Sequence, residues 1–207
     1  MIYLGERAKV LFLRKIMNKS EIRKQYKQIR NALSQNDRSI FSDIIANKLY
    51  TNEDFLKCES LAVFSSVGSE VYTNAVIERA LKLGKVVATP KVLETKSDMI
   101  FVKIASLDEL KTGKYGIKEP EEREDNILIT DKNTLILVPG LVYGKNMYRI
   151  GYGGGYYDKY LENNSYLSAV GLCFDVQVCE YIQPSNYDVK LDKIITEKNI
   201  YIEGREQ

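Results

Sequence analysis

From Asn18 onward the apolar residues Ile22, Tyr26, Ile29 and Leu33 recur three and four positions apart, and the residues between them are mostly charged or amide-bearing. That period places them on one stripe and predicts an amphipathic helix, with Asn18 and Glu21 as a capping-box pair at its start. Beyond it, short apolar runs alternate with helical stretches. "SLAVFSSV" (60–67), "KVVATPKV" (85–92), "MIFVKI" (99–104), "TLILVPGLV" (134–142), "LSAVGLCF" (167–174) and "KIITEKNIYI" (193–202) predict strands. "TNAVIERALKLG" predicts a helix opened by Thr73 and closed by Gly84, "SLDEL" a short helix, and "KTGKYGIKEPEEREDN" a polar loop. After the Thr134 strand a glycine-rich stretch opens a short helix through Leu161. Strands separated by helices predict an α/β fold, a largely parallel sheet with helices on both faces.

Composition narrows the function. At 207 residues one hydrophobic core is expected. With 44% hydrophobic and 28% charged residues the chain reads as globular. No apolar run approaches the roughly 20 residues that span a bilayer, so no membrane role is expected. A net charge of +2 points to no polyanion, and no nucleic-acid partner is expected; any affinity for phosphate has to come from local placement. Cys58, Cys173 and Cys179 are odd in number and have no CxxC spacing, which predicts buried thiols in a reducing cytoplasm and no zinc site. Histidine is absent altogether, which excludes Ser-His-Asp and Cys-His catalysis and imidazole-ligated metals. Residues 1–17, "MIYLGERAKVLFLRKIM", lack the apolar core of a signal peptide and read as an extension before a domain spanning 18–207.

Four of the 13 glycines fall between positions 151 and 155 in "RIGYGGGYYDKYL". Glycines ahead of a helix let backbone N–H groups approach an anion, so Gly151, Gly153, Gly154 and Gly155 suit a phosphate cradle with Arg149 as charge partner. The glycines alone leave a flexible hairpin tip equally open, since the spacing is neither GxxxxGK[ST] nor GxGxxG. Asp158, Asp188 and Asp192 are candidate Mg²⁺ ligands or simply surface acids. Tyr156, Tyr157 and Tyr160 could wall a planar ligand or fill the core. Lys19, Arg23, Lys27 and Arg30 form a basic stripe beside the apolar one, most simply a solvated helix face. Glu70 in "VGSEVYT" could accept paired hydrogen bonds from a ring amide or cap its own turn. The Glu70 segment and the glycine loop are expected to share the rim at the carboxyl ends of the strands, where open α/β sheets bind ligands.

Together these stretches resemble the 5-formyltetrahydrofolate cyclo-ligase family. "LVPGLVYGKNMYRIGYGGGYYDKYL" is similar to that family's VPG strand and R-[LI]-G-x-G-x-G-Y-Y-D signature. "KSEIR", "SSVGSEVYT" and "NYDVKLDKIIT" match its shorter segments in order. The resemblance covers about residues 18 to 200. It implies a single α/β domain with a central mixed sheet. The implied reaction is conversion of 5-formyltetrahydrofolate to 5,10-methenyltetrahydrofolate with ATP and Mg²⁺, releasing ADP and phosphate through an imidate phosphate. By position it assigns ATP to Lys19, Arg23, Arg149 and the Gly151 to Tyr157 loop, with Lys19 and Arg149 catalytic. It assigns the folate to Ser65, Glu70, Tyr152 and Tyr156, and the ion to Asp158 and Asp192. It further implies a cytoplasmic monomer acting on a folate with or without a polyglutamate tail; the alternative is a non-catalytic nucleotide- or RNA-binding relative. Tyr187, Lys118 and Ser65 depart from the family's usual residues.

Overall fold

The computed structural model describes residues 18–93, 98–113, 116–164 and 168–206. The expected N-terminal extension, residues 1–17, lies outside them. The first helix, α1 (Lys19–Asn31), starts as the pattern predicts. Asn18 accepts from the Ser20 and Glu21 N–H groups, and Glu21 returns a bond to the Asn18 N–H. Two further helices follow, α2 (Gln35–Tyr50) and α3 (Glu53–Lys57), capped by Ser34 and Asn52. The helix expected after Thr73 is α4 (Asn74–Lys82). Thr73 does not cap it: its hydroxyl donates to the Phe64 carbonyl at 2.7 Å and ties the helix start to the end of the first strand. Gly84 closes the turn after α4 with φ +74°, as expected of a glycine there.

The strands are β1 (Ser60–Ala62), β2 (Val86–Val92), β3 (Met99–Ile104), β4 (Lys111–Thr112), β5 (Lys118–Glu119), β6 (Thr134–Val138), β7 (Val142–Gly144), β8 (Arg149–Ile150), β9 (Ser168–Leu172), β10 (Val178–Cys179), β11 (Lys193–Ile195), β12 (Ile200–Ile202) and β13 (Arg205–Glu206). The last helix is α5 (Tyr156–Asn163). Eight strands form the main sheet in the order β13-β12-β11-β9-β6-β1-β2-β3. Its centre, from β11 to β2, is parallel, and antiparallel strands close both edges. The sheet is therefore mixed and mostly parallel, as expected.

Alternation along the strands divides the core. Leu61, Val87, Leu135 and Leu137 pack under α2, α3 and α4, while Ala62, Ala88, Ile136 and Val138 face the layer holding Leu161 of α5, Tyr143 and Met147. Helices thus cover both faces. A third cluster joins Tyr26 of α1 to Leu141, Val142, Ile150, Cys179 and Ile182. All three cysteines are buried, as expected. Among the described residues no helix is long and apolar enough to cross a membrane.

Three predicted elements change. The run at 60–67 is a strand only to Ala62, because Val63 makes one more ladder bond, to the Ala88 carbonyl, before the chain bends away. The run at 134–142 breaks at Pro139 and Gly140; Pro139 has no N–H to continue a ladder, and Leu141 instead donates to Ile150. The chain leaves the main sheet there for a three-stranded sheet, β10-β7-β8. The polar stretch at 111–126 holds the β4-β5 pair and a 3₁₀ turn at Glu124–Asn126.

Candidate functional site

The small sheet is anchored to the carboxyl end of the large one through Tyr143. Its hydroxyl donates to the Val138 carbonyl at 3.0 Å and reaches the Leu172 carbonyl at 3.4 Å, at the ends of β6 and β9. The ring rests on Gly171, where a Cβ would come within 2.6 Å of Cε1, so only glycine fits there. Gln177 holds the same corner by donating to the Gly140 and Leu141 carbonyls, each at 3.1 Å. The β7-β8 hairpin is thereby held above the rim, and the glycine loop leaves from its second strand rather than directly from the Thr134 strand.

Within the loop, Gly153 has φ +103° and Gly155 has φ +71°, conformations that L side chains strain to adopt. Gly154 has no room for a Cβ against the Tyr156 ring. Gly151 is different: a Cβ there would meet nothing within 4 Å, and its carbonyl accepts from Arg23 Nε at 2.8 Å. Gly155 is the N-cap of α5 and supplies no side chain, so no protein group caps that helix start from this position.

Around the loop stand the expected charges. Arg149, 4% exposed, holds Asp158 through both terminal nitrogens, at 2.7 and 3.4 Å, while its Nε is buried without a partner. Asp158 Oδ1 also accepts from the Val189 N–H at 3.3 Å. Lys19 pairs with Asp188, which also accepts from the Ser185 N–H at 2.7 Å. A cation in the first turn of a helix, unfavourable against the dipole, thus has its anion inside the chain. Burial raises the Asp188 carboxyl, and the hydrogen bonds from Lys19 and Ser185 outweigh that and hold it below the usual range. Of the basic stripe on α1, Lys27 alone points to solvent; Lys19, Arg23 and Arg30 all reach the loop or its neighbours.

Glu70 is buried next to the same loop. Its Oε2 accepts from the Val67 N–H at 2.9 Å, and its Oε1 accepts the hydroxyl proton of Tyr152. The expected common rim is therefore present, closed by a hydrogen bond between the two segments. Burial pushes the Glu70 carboxyl above the usual carboxylate range, against the hydrogen bonds from Tyr152 and Val67 and the charge of Arg30. Burial likewise drives the Tyr152 and Tyr157 phenols far up, with Glu70 adding to both, so each stays a donor. Tyr156 is half-buried against the α5 side of the core. Tyr157 lies edge-on to Phe101, with the Arg149 guanidinium 5.9 Å from its ring centre.

Ser65 Oγ and the Tyr157 hydroxyl, like Arg149 Nε, are buried with no protein partner. Buried polar groups are nearly always bonded, so these three, like Arg38 Nε and Thr89 Oγ1, are groups that a polar ligand or water would satisfy. The Oδ2 of Asp192 accepts from the Ala169 N–H at 2.7 Å. Among the described residues no three His, Cys, Asp or Glu side chains are grouped to hold an ion. Arg30, Ser69 and Asn31 join the site although the sequence pattern did not single out a role for them. Only the position of Arg30 beside the apolar stripe hinted at it.

Residues 15–197 match the model of the 5-formyltetrahydrofolate cyclo-ligase family. Among curated proteins, the 5-formyltetrahydrofolate cyclo-ligase of Mus musculus is 30% identical over 192 residues, covering 86% of this chain and 93% of its own. That of Escherichia coli strain K12 is 26% identical, covering 84% and 98%. The NMR structure of Aquifex aeolicus 5,10-methenyltetrahydrofolate synthetase superimposes with a TM-score of 0.79 at 30% identity, covering 92% of this chain and 95% of that one.

Proposed function

The chain belongs to the 5-formyltetrahydrofolate cyclo-ligase family, a family of enzymes, and on that premise we propose that it uses ATP and Mg²⁺ to convert 5-formyltetrahydrofolate to 5,10-methenyltetrahydrofolate. The observation that supports this most is the contact between the glycine loop and Glu70. It sets a carboxylate suited to ring N–H donors one hydrogen bond from a loop suited to phosphates.

In this reading Lys19, Arg23 and Arg149 offset the phosphate charge, while Gly153 and Gly155 give the backbone its approach. Glu70 and Tyr152 hold the folate ring, and Ser65 and Tyr156 line its place. The formyl oxygen attacks the γ-phosphorus and ADP leaves. The second folate nitrogen then closes on the imidate phosphate carbon, and phosphate departs carrying the proton that this nitrogen loses. Positioning and charge neutralisation carry this chemistry, which is why a chain without histidine can perform it.

Asp158 would hold Mg²⁺ by giving up part of its pairing with Arg149, in a site of the kind that takes one or two carboxylates and fills its remaining positions with phosphate oxygens and water. When bound, the ion would supply charge neutralisation at those oxygens. Asp192 would join it only by turning from the Ala169 N–H. Three buried cysteines, an odd number with no CxxC spacing, fit a reducing cytoplasm. The test is direct: purified protein, 5-formyltetrahydrofolate and MgATP should give the methenyl chromophore, and no product with ATP present overturns the reading.

A further inference from the structure

Arg30 sits two turns beyond Arg23 on α1, in the stripe that the pattern assigns to solvent, yet it is 4% exposed. A buried guanidinium is costly unless its donors are used, and here Nε and NH1 both find partners. Nε donates to Ser69 Oγ at 3.0 Å, and Ser69 passes its own proton to Asn31 Oδ1 at 2.5 Å. NH1 donates to the Tyr152 hydroxyl at 2.8 Å, reaches the Gly140 carbonyl at 3.5 Å, and stands 3.9 Å from Glu70 Oε1. The guanidinium carbon lies 5.7 Å from the centre of the Tyr152 ring.

A guanidinium can only donate. The Tyr152 oxygen therefore spends a lone pair on Arg30 and has its proton left for Glu70, so Arg30 sets the direction of the Tyr152–Glu70 bond. With Val67 fixing the other oxygen, the carboxylate is held at both ends. We propose that Arg30 is the positioning residue for folate recognition: its fork orients the Tyr152 hydroxyl and, through it, aims the Glu70 carboxylate at the ring N–H groups of the substrate. The role rests on the reaction proposed above. Lysine would keep the charge but not the two-directional fork that spans Ser69 and Tyr152.

A double-mutant cycle on the full chain tests this, with KM for 5-formyltetrahydrofolate, KM for MgATP, kcat and thermal midpoint read for each protein. Arg30→Met is expected to raise the folate KM about tenfold, with kcat and the MgATP KM within about threefold of wild type. In a Tyr152→Phe background the same substitution should raise the folate KM clearly less than it does in wild type, leaving only the direct charge effect of Arg30 on Glu70. Should Arg30→Met fail to fold, Arg30→Lys takes its place in the cycle with the same expected pattern. Additive effects, or a loss confined to kcat or MgATP, overturn the assignment while leaving the reaction standing. A wild-type protein that neither binds nor converts the folate overturns the reaction and the Arg30 assignment together.

Discussion

Tyr152 at the tip of the glycine loop gives its hydroxyl proton to Glu70, a residue 82 positions earlier in the chain. The bond joins the segment after β1 to the segment after β8, so the two halves of the site are positioned relative to each other by side chains rather than by a strand ladder. Tyr152→Phe is expected to raise the folate KM about tenfold, the usual effect of losing a hydrogen bond to a charged group. Steady-state kinetics with each substrate varied in turn check it; an unchanged folate KM would remove the bond from the binding site.

Glu70 ties substrate binding to pH. Burial raises its folded-state pKa above the unfolded value, so its contribution to stability is fully present below the ordinary glutamate pKa of about 4.3 and is lost as pH rises through the folded value. In the proposed reading, folate binding requires the opposite, ionised form. The folate KM should therefore climb as pH falls, with a midpoint above that ordinary value. Glu70→Gln should weaken folate binding, leave ATP binding nearly normal and flatten this pH limb. Its thermal midpoint should also fall less than that of wild type as pH is raised from about 5 to about 8.

Arg149 and Asp158 allow structure and chemistry to be separated. Arg149→Ala strands a partly buried carboxylate and is expected to cost about 2–4 kcal/mol, short of unfolding the domain, and to lower turnover about a hundredfold or more. Adding Asp158→Asn should restore part of the thermal midpoint and none of the turnover. Recovery of turnover in the double variant would mean that the arginine only neutralises the aspartate.

The loop glycines should not be equivalent. Gly155→Ala forces a Cβ into a left-handed conformation, at about 1–2 kcal/mol, and should raise the KM for MgATP. Gly151→Ala meets neither a positive φ nor a close neighbour and should have a smaller effect on both melting temperature and MgATP KM. Equal effects would mean that the loop reads Gly151 by some other constraint.

Legibility in the sequence followed the kind of signal each segment carries. The helix at 19–31 was readable because Asn18, Glu21 and the apolar spacing agree. The helix at 35–50 escaped notice because Ile40 and Ile44 are exposed while Ile45, Ala46 and Leu49 are buried, so its apolar residues mark no single face. The single strand expected at 134–142 hid a change of sheet, since Pro139-Gly140 lies between two apolar runs that each look buried. At the site, Glu70 and the glycine loop stood out by local composition. Arg30 did not, because its importance arises from Ser69, Tyr152 and Gly140, residues 39 to 122 positions away.

The Lys19–Asp188 pair joins positions 169 apart, and this has a consequence for synthesis. The first helix leaves the ribosome long before the residues that neutralise it. The nascent chain can dock α1 on Ser69, Leu141 and the glycine loop as they appear, but Lys19 has no charge partner until the segment carrying Asp188 has emerged. Full ligand-binding competence should therefore wait for the Asp188 segment rather than grow with the sheet.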